Sequence, residues 1–141
     1  MIRNLVQSSL IVLFIGLAGP TAMASDAKEA AALRAARSWL SLVDAGNYEA
    51  SWRSAARYFK SAVTQEQWRQ AMTGVRQPLG RVLSRDLKGK TYATSLPGAP
   101  DGQYVVIQFN TSFQKKRAAV ETITPMLEAD GRWSVAGYFI K

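Results

Sequence analysis

Apolar positions along the chain change period once. Between residues 26 and 75 they recur every three or four positions, and after Gly80 they tend toward every second one. The first regime predicts three helices. Over residues 26–43 the stripe is Leu33, Ala36, Trp39, Leu40 and Val43. Asp26 is placed to cap the amide of Glu29 while Glu29 reaches back, and Asp44-Ala45-Gly46 reads as the stop. Asn47 is the expected cap of a second helix with the face Tyr48, Trp52, Ala55, Ala56 and Phe59. Thr64-Gln65-Glu66-Gln67 is a capping-box pattern for a third, with Trp68, Met72 and Val75 on one side and Pro78 and Gly80 at its end. Each helix places one tryptophan on its apolar stripe. Core packing of Trp39, Trp52 and Trp68 is preferred over a stacking platform for a ligand.

The second regime predicts five strands. Residues 82–87 and 91–96 read as two, joined near Gly89, and Pro97-Gly98-Ala99-Pro100-Asp101-Gly102 as a turn-rich loop. Residues 104–113, 118–127 and 133–140 are stronger, the last two connected at Asp130-Gly131, a hairpin signal. A two-residue turn there matches Ile123 with Tyr138 and Glu121 with Ile140. It puts those four on one face and Thr122, Thr124, Val135 and Phe139 on the other. Both faces are then largely apolar, so the sheet is expected to be covered or curved on both sides. Helices first and antiparallel strands afterward define an α+β class: three N-terminal helices packed on a strongly curved antiparallel sheet of about five strands. No repeat or second domain is visible.

Ahead of the helices lies a different pattern. Arg3 precedes the apolar run from Leu10 to Leu17, then come Gly19-Pro20 and the small-residue box Ala22-Met23-Ala24. This three-part arrangement predicts a secretory signal peptide over residues 1–24, cut after Ala24 and before Ser25, with a single domain over 25–141. The apolar core is short against the about 20 residues that a membrane crossing needs. An uncleaved N-terminal anchor is the alternative, and both place the domain outside the cytoplasm, periplasmic or secreted. No stable membrane span is expected after cleavage.

Composition narrows the chemistry. The 141 residues contain no histidine and no cysteine. That excludes the usual serine and cysteine triads, His- or thiolate-ligated metal centres, disulfides and a lipidated cysteine. No metal and no cofactor are expected, and acid–base work falls to carboxylates, lysine or tyrosine. Eighteen Lys+Arg against ten Asp+Glu give a formal charge of +8, or +7 once Arg3 is removed with the leader.

The run from Ser95 to Phe113, Glu121-Thr122-Ile123-Thr124-Pro125 and the terminal Gly137-Tyr138-Phe139-Ile140-Lys141 resembles a family of small secreted bacterial proteins known as domain of unknown function 4019. Trp39-Leu40, Gly46-Asn47-Tyr48, Ser51-Trp52, Phe59, Trp68 and Arg76-Gln77-Pro78-Leu79-Gly80 look like its pattern as well. The resemblance implies a fold similar to the nuclear transport factor 2 class, a cone of three helices and a bent antiparallel sheet. It implies no activity.

A cone of that shape has a hollow in which polar groups can meet a ligand. Glu121 and Tyr138 are the candidate acid–base pair, able in principle to take a proton next to a carbonyl and steady the enolate. The bland alternative makes Glu121 a strand carboxylate satisfied by Arg85 or Arg76, and Tyr138 a core residue with a wet hydroxyl. Arg76, Arg85, Gln108 and Asn110 are candidate ligand contacts. Asn110-Thr111-Ser112 matches a glycosylation sequon but carries no weight inside a strand. Lys115-Lys116-Arg117 is expected at a hairpin tip, Lys88 and Lys90 beside another turn, and Arg34, Arg37, Arg53, Arg57 and Lys60 on polar helix faces. Such scattered charge reads as solubility first, and as attraction to anionic envelope surfaces second. The expected function is therefore a non-catalytic domain binding a small molecule or an envelope protein, ahead of an isomerase or lyase and of an electrostatic surface binder. Nucleic acid ranks low, and a homodimer remains open.

Overall fold

The computed structural model describes Gly16 and residues 19–141; the rest of the predicted leader lies outside the described residues. Four helices, α1 (Pro20–Asp44), α2 (Tyr48–Arg53), α3 (Arg57–Ala62) and α4 (Gln65–Val75), are followed by a 3-10 turn (Gln77–Leu79). Four strands come next: β1 (Val82–Ala93), β2 (Tyr104–Phe113), β3 (Lys116–Leu127) and β4 (Trp133–Ile140). The sheet is an antiparallel meander in the order β1-β2-β3-β4. Among the described residues no helix is long and apolar enough to cross a membrane.

Several boundaries differ from expectation, each for a local reason. Helix α1 starts at Pro20, whose missing amide suits the first helical turn, so Asp26 is an interior residue and not a cap. Ala24 and Ser25 both lie within α1. The expected second helix is two helices, because Ala56 is extended and its amide leaves the helical ladder to donate to the Val135 carbonyl of β4 at 2.8 Å. Asn47 precedes α2 but its side chain caps nothing; its carbonyl accepts the amide of Ser51. The Thr64 cap holds as read: its hydroxyl accepts from the Gln67 amide while the Gln67 side chain accepts from the Thr64 amide.

The sheet has four strands and not five, since residues 82–87 and 91–93 are one strand. Gly89 marks a shift of register against β2 and no turn, and residues 94–96 fall outside β1. A glycine inside a strand pattern signals a bulge as readily as a turn. At the β2–β3 hairpin only Gln114 and Lys115 form the turn, so Lys116 and Arg117 belong to β3.

The last hairpin reaches the expected pairs by an unexpected route. Its loop has three residues, Ala129 to Gly131, with Glu128 and Arg132 closing it and Gly131 at φ +84°. That moves the register by one, and a second shift between Thr124 and Pro125 moves it back, giving Ile123 opposite Tyr138 and Glu121 opposite Ile140. Between the two shifts Val135 pairs with Pro125, so it joins the face of Ile123 and is buried there, not on the Phe139 side.

One apolar cluster joins the helices to a sheet face: Ala32, Ala36, Trp39, Leu40 and Val43 of α1, Phe59, Trp68 and Met72, and Val105, Ile107, Phe109, Ile123 and Val135 of the strands. The Trp68 ring packs against Trp39 at 5.8 Å and edge-on to Phe59 at 5.0 Å. Three indole N–H groups find acceptors: Trp39 on the Ser51 carbonyl at 2.7 Å, Trp68 on the Ser51 hydroxyl at 2.9 Å and Trp52 on the Val63 carbonyl at 2.7 Å. These tryptophans are packing residues. Ser51, fully buried, satisfies the polar ends of Trp39 and Trp68 inside the core, and Val63 that of Trp52.

Candidate functional site

Alternation along the strands brings polar residues from all four to the helix-facing side, and one from each meets in a single cluster. Arg85 of β1 lies opposite Thr111 of β2, which pairs with Ala119; two positions along β3 is Glu121, and diagonal to it on β4 is Tyr138. Glu121 is fully buried. A carboxylate there requires hydrogen bonds on both oxygens. Arg85 donates its Nε to Oε1 at 2.7 Å and an Nη to Oε2 at 3.1 Å. The Thr111 hydroxyl donates to Oε1 and the Tyr138 hydroxyl to Oε2.

The ends of two helices complete the network. Asp44, the last residue of α1, accepts both Nη groups of Arg85 at 2.7 and 2.9 Å and one from Arg76 at 3.2 Å. Arg76, just past α4, also donates to the Gly80 carbonyl at 2.7 Å and stands 4.7 Å over the Phe113 ring. Its Nε is buried without a partner among the described residues. Two arginines and two carboxylates thus share one network, and Arg76 reaches Asp44 but not Glu121. Burial works against the charge on Arg85, but its hydrogen bonds to Asp44 and Glu121 and their charges outweigh that and raise its pKa above the ordinary value. Burial, then the neighbouring Glu121 charge, pushes the Tyr138 phenol well above its usual range, so it is a donor and not a base. The Tyr138 ring packs edge-on to Trp39 at 5.5 Å.

The candidate ligand contacts do not converge. Arg85 is engaged as described. Arg76, with Asp44, borders a hollow of about 660 Å³ whose rim also carries Asn47, Gln77, Arg81 and Gln114. Gln108 and Asn110 point to the opposite sheet face: the Gln108 amide donates to the Thr122 hydroxyl at 3.3 Å, and Asn110 lines a separate hollow of about 500 Å³. Among the described residues no group of three or more Asp and Glu gathers to hold a metal.

Sequence reasoning missed Asp44 and Thr111. In the sequence Asp44 reads as part of a helix stop, yet an acid at a helix C-terminus opposes the macrodipole and needs a cation to hold it there. That mismatch was the available signal.

Residues 35–138 match the family model described as protein of unknown function (DUF4019). The matched span contains all six members of the network. No curated protein matches the chain.

Proposed function

The chain belongs to the family of proteins of unknown function DUF4019, and from that premise we propose that it is a non-catalytic exported domain that binds a small ligand or a partner protein. The observation that carries this reading is the closure of the Glu121 site. Both carboxylate oxygens are occupied by Arg85, Thr111 and Tyr138, and Glu121 has no exposed surface. A general base needs an open lone pair within reach of a substrate proton. The isomerase or lyase reading rests on the same Glu121–Tyr138 contact and has less support, since that contact is better accounted for as core satisfaction.

The accompanying fold reading is a cone similar to nuclear transport factor 2. Its support is the register shift in every strand pair, a feature that bends strands, and the apolar cluster shared between helices and one sheet face. Export rests on the Arg3, apolar-run and Ala22-Met23-Ala24 pattern. Binding to anionic envelope surfaces draws on the net positive charge alone.

Thermal-shift screening of the purified protein against envelope metabolites tests the proposal. A reproducible rise in melting temperature for one chemical class, retained in Tyr138→Phe, is the expected result. Turnover of any carbonyl substrate that disappears in folded Tyr138→Phe or Glu121→Gln would replace it with the acid–base reading.

A further inference from the structure

Trp133 packs against the edge of the core with part of its ring left at the surface. Unlike Trp39, Trp52 and Trp68, its indole N–H has no acceptor among the described residues, and like Trp52 it is only half-buried. It stands at the start of β4, in the wall of a cleft of about 600 Å³ between α2–α3 and the β3–β4 hairpin. It also borders a smaller adjoining hollow of about 230 Å³. The volume of the larger cleft is in the range of small-molecule sites.

The cleft carries more cations than anions. Arg53, Arg57, Lys60 and Arg132 line it, against Glu128 and Asp130. Both acids are engaged locally: Glu128 accepts the Arg57 backbone amide at 2.9 Å, and Asp130 accepts the Arg132 side chain at 2.8 Å. Arg53 has a loose pair with Glu49 at 3.7 Å. Lys60 donates only to the Arg53 carbonyl, at 3.1 Å, and the Arg57 guanidinium has no acidic partner among the described residues. The cleft lining thus carries four cations against two anions, and Arg57 and Lys60 are the two cations in it with no acidic partner among the described residues, Lys60 standing 6.0 Å over the Trp52 ring.

Resting on the binding-domain reading above, we infer that this cleft is the ligand site and that it takes an anionic sugar. The ring lies along the Trp133 indole, whose N–H donates to a hydroxyl, and the phosphate or carboxylate sits between Arg57 and Lys60. Guanidinium and ammonium donors match a phosphate or carboxylate, and an indole offers an apolar face with a polar edge.

Calorimetric titration of the full chain with glucose 6-phosphate, glucuronate, glucose and inorganic phosphate tests the inference. One or both charged sugars should bind saturably, with glucose and phosphate each at least tenfold weaker. A preference for the phosphate or the carboxylate sugar identifies the anion. Arg57→Gln and Lys60→Gln should each weaken binding about tenfold without changing the melting temperature, and Trp133→Phe should remove the advantage of the sugar over bare phosphate. Failure of both charged sugars to bind overturns the site, as does binding indifferent to Arg57→Gln and Lys60→Gln. Inorganic phosphate binding as tightly as glucose 6-phosphate overturns the role of Trp133. If the charged sugars fail while another class of compound stabilises the protein, the site falls and the binding-domain reading stands.

Discussion

At the scale of single residues, the Glu121 network behaves as a unit and should be tested as one. Removing one member of a buried ion pair leaves an uncompensated charge, at a cost of about 3–5 kcal/mol, whereas removing both partners avoids that penalty. Arg85→Met and Glu121→Leu should each destabilise by that order, because Glu121 has no exposure and Arg85 is its cationic partner. In the double variant the losses should fall short of additivity by about 2–3 kcal/mol. Urea unfolding of the four proteins measures the coupling. Additive losses would mean that Thr111 and Tyr138 alone satisfy the carboxylate. An arginine partner for Glu121 was legible in the sequence as a choice between Arg85 and Arg76, and the structure takes Arg85. Asp44 was not, since its contacts to Arg76 and Arg85 span 32 and 41 residues and follow no local pattern.

At the scale of elements, local chemistry was readable where an element is closed by its own residues. The Thr64–Gln67 box and the bounds of β2 and β4 are of that kind. It was unreadable where a distant strand intervenes: Ala55 and Ala56 continue an apolar helical stripe, and only the Val135 carbonyl breaks it. Two glycines with the same turn signature also separate here. Gly131 has φ +84° and closes the last hairpin, while Gly89 has no such angle and nothing near where a Cβ would stand. Gly131→Ala should therefore cost about 1–2 kcal/mol, the penalty of a left-handed backbone for an L side chain. Gly89→Ala should be neutral or stabilise by up to about 1 kcal/mol through the unfolded chain. Chemical denaturation distinguishes them, and equal losses would show that Gly89 serves the bulge in some way other than backbone freedom.

At the scale of the whole molecule, the network joins all four strands to the ends of α1 and α4, so the protonation of one member reports on the entire fold. Tyr138 is the member to follow. In an unfolded chain a phenol loses its proton near pH 10. In the folded protein burial, and then the Glu121 charge, hold that proton on to higher pH. Between the two pKa values the native state binds one proton more than the unfolded state, so stability falls as pH rises above about 10, by about 1.4 kcal/mol per pH unit for this group. Below that point Tyr138 contributes no slope. Tyr138→Phe should lower stability at neutral pH by about 1–3 kcal/mol, the cost of leaving a Glu121 oxygen short of a donor. The same variant should have a shallower alkaline decline than the parent, by about one proton's worth. Denaturation midpoints from pH 8 to 11.5, with phenolate absorbance followed in parallel, give both quantities. Parallel alkaline slopes in the two proteins would mean that the Tyr138 phenol ionises in the folded state, and the Glu121 site would then be open to solvent.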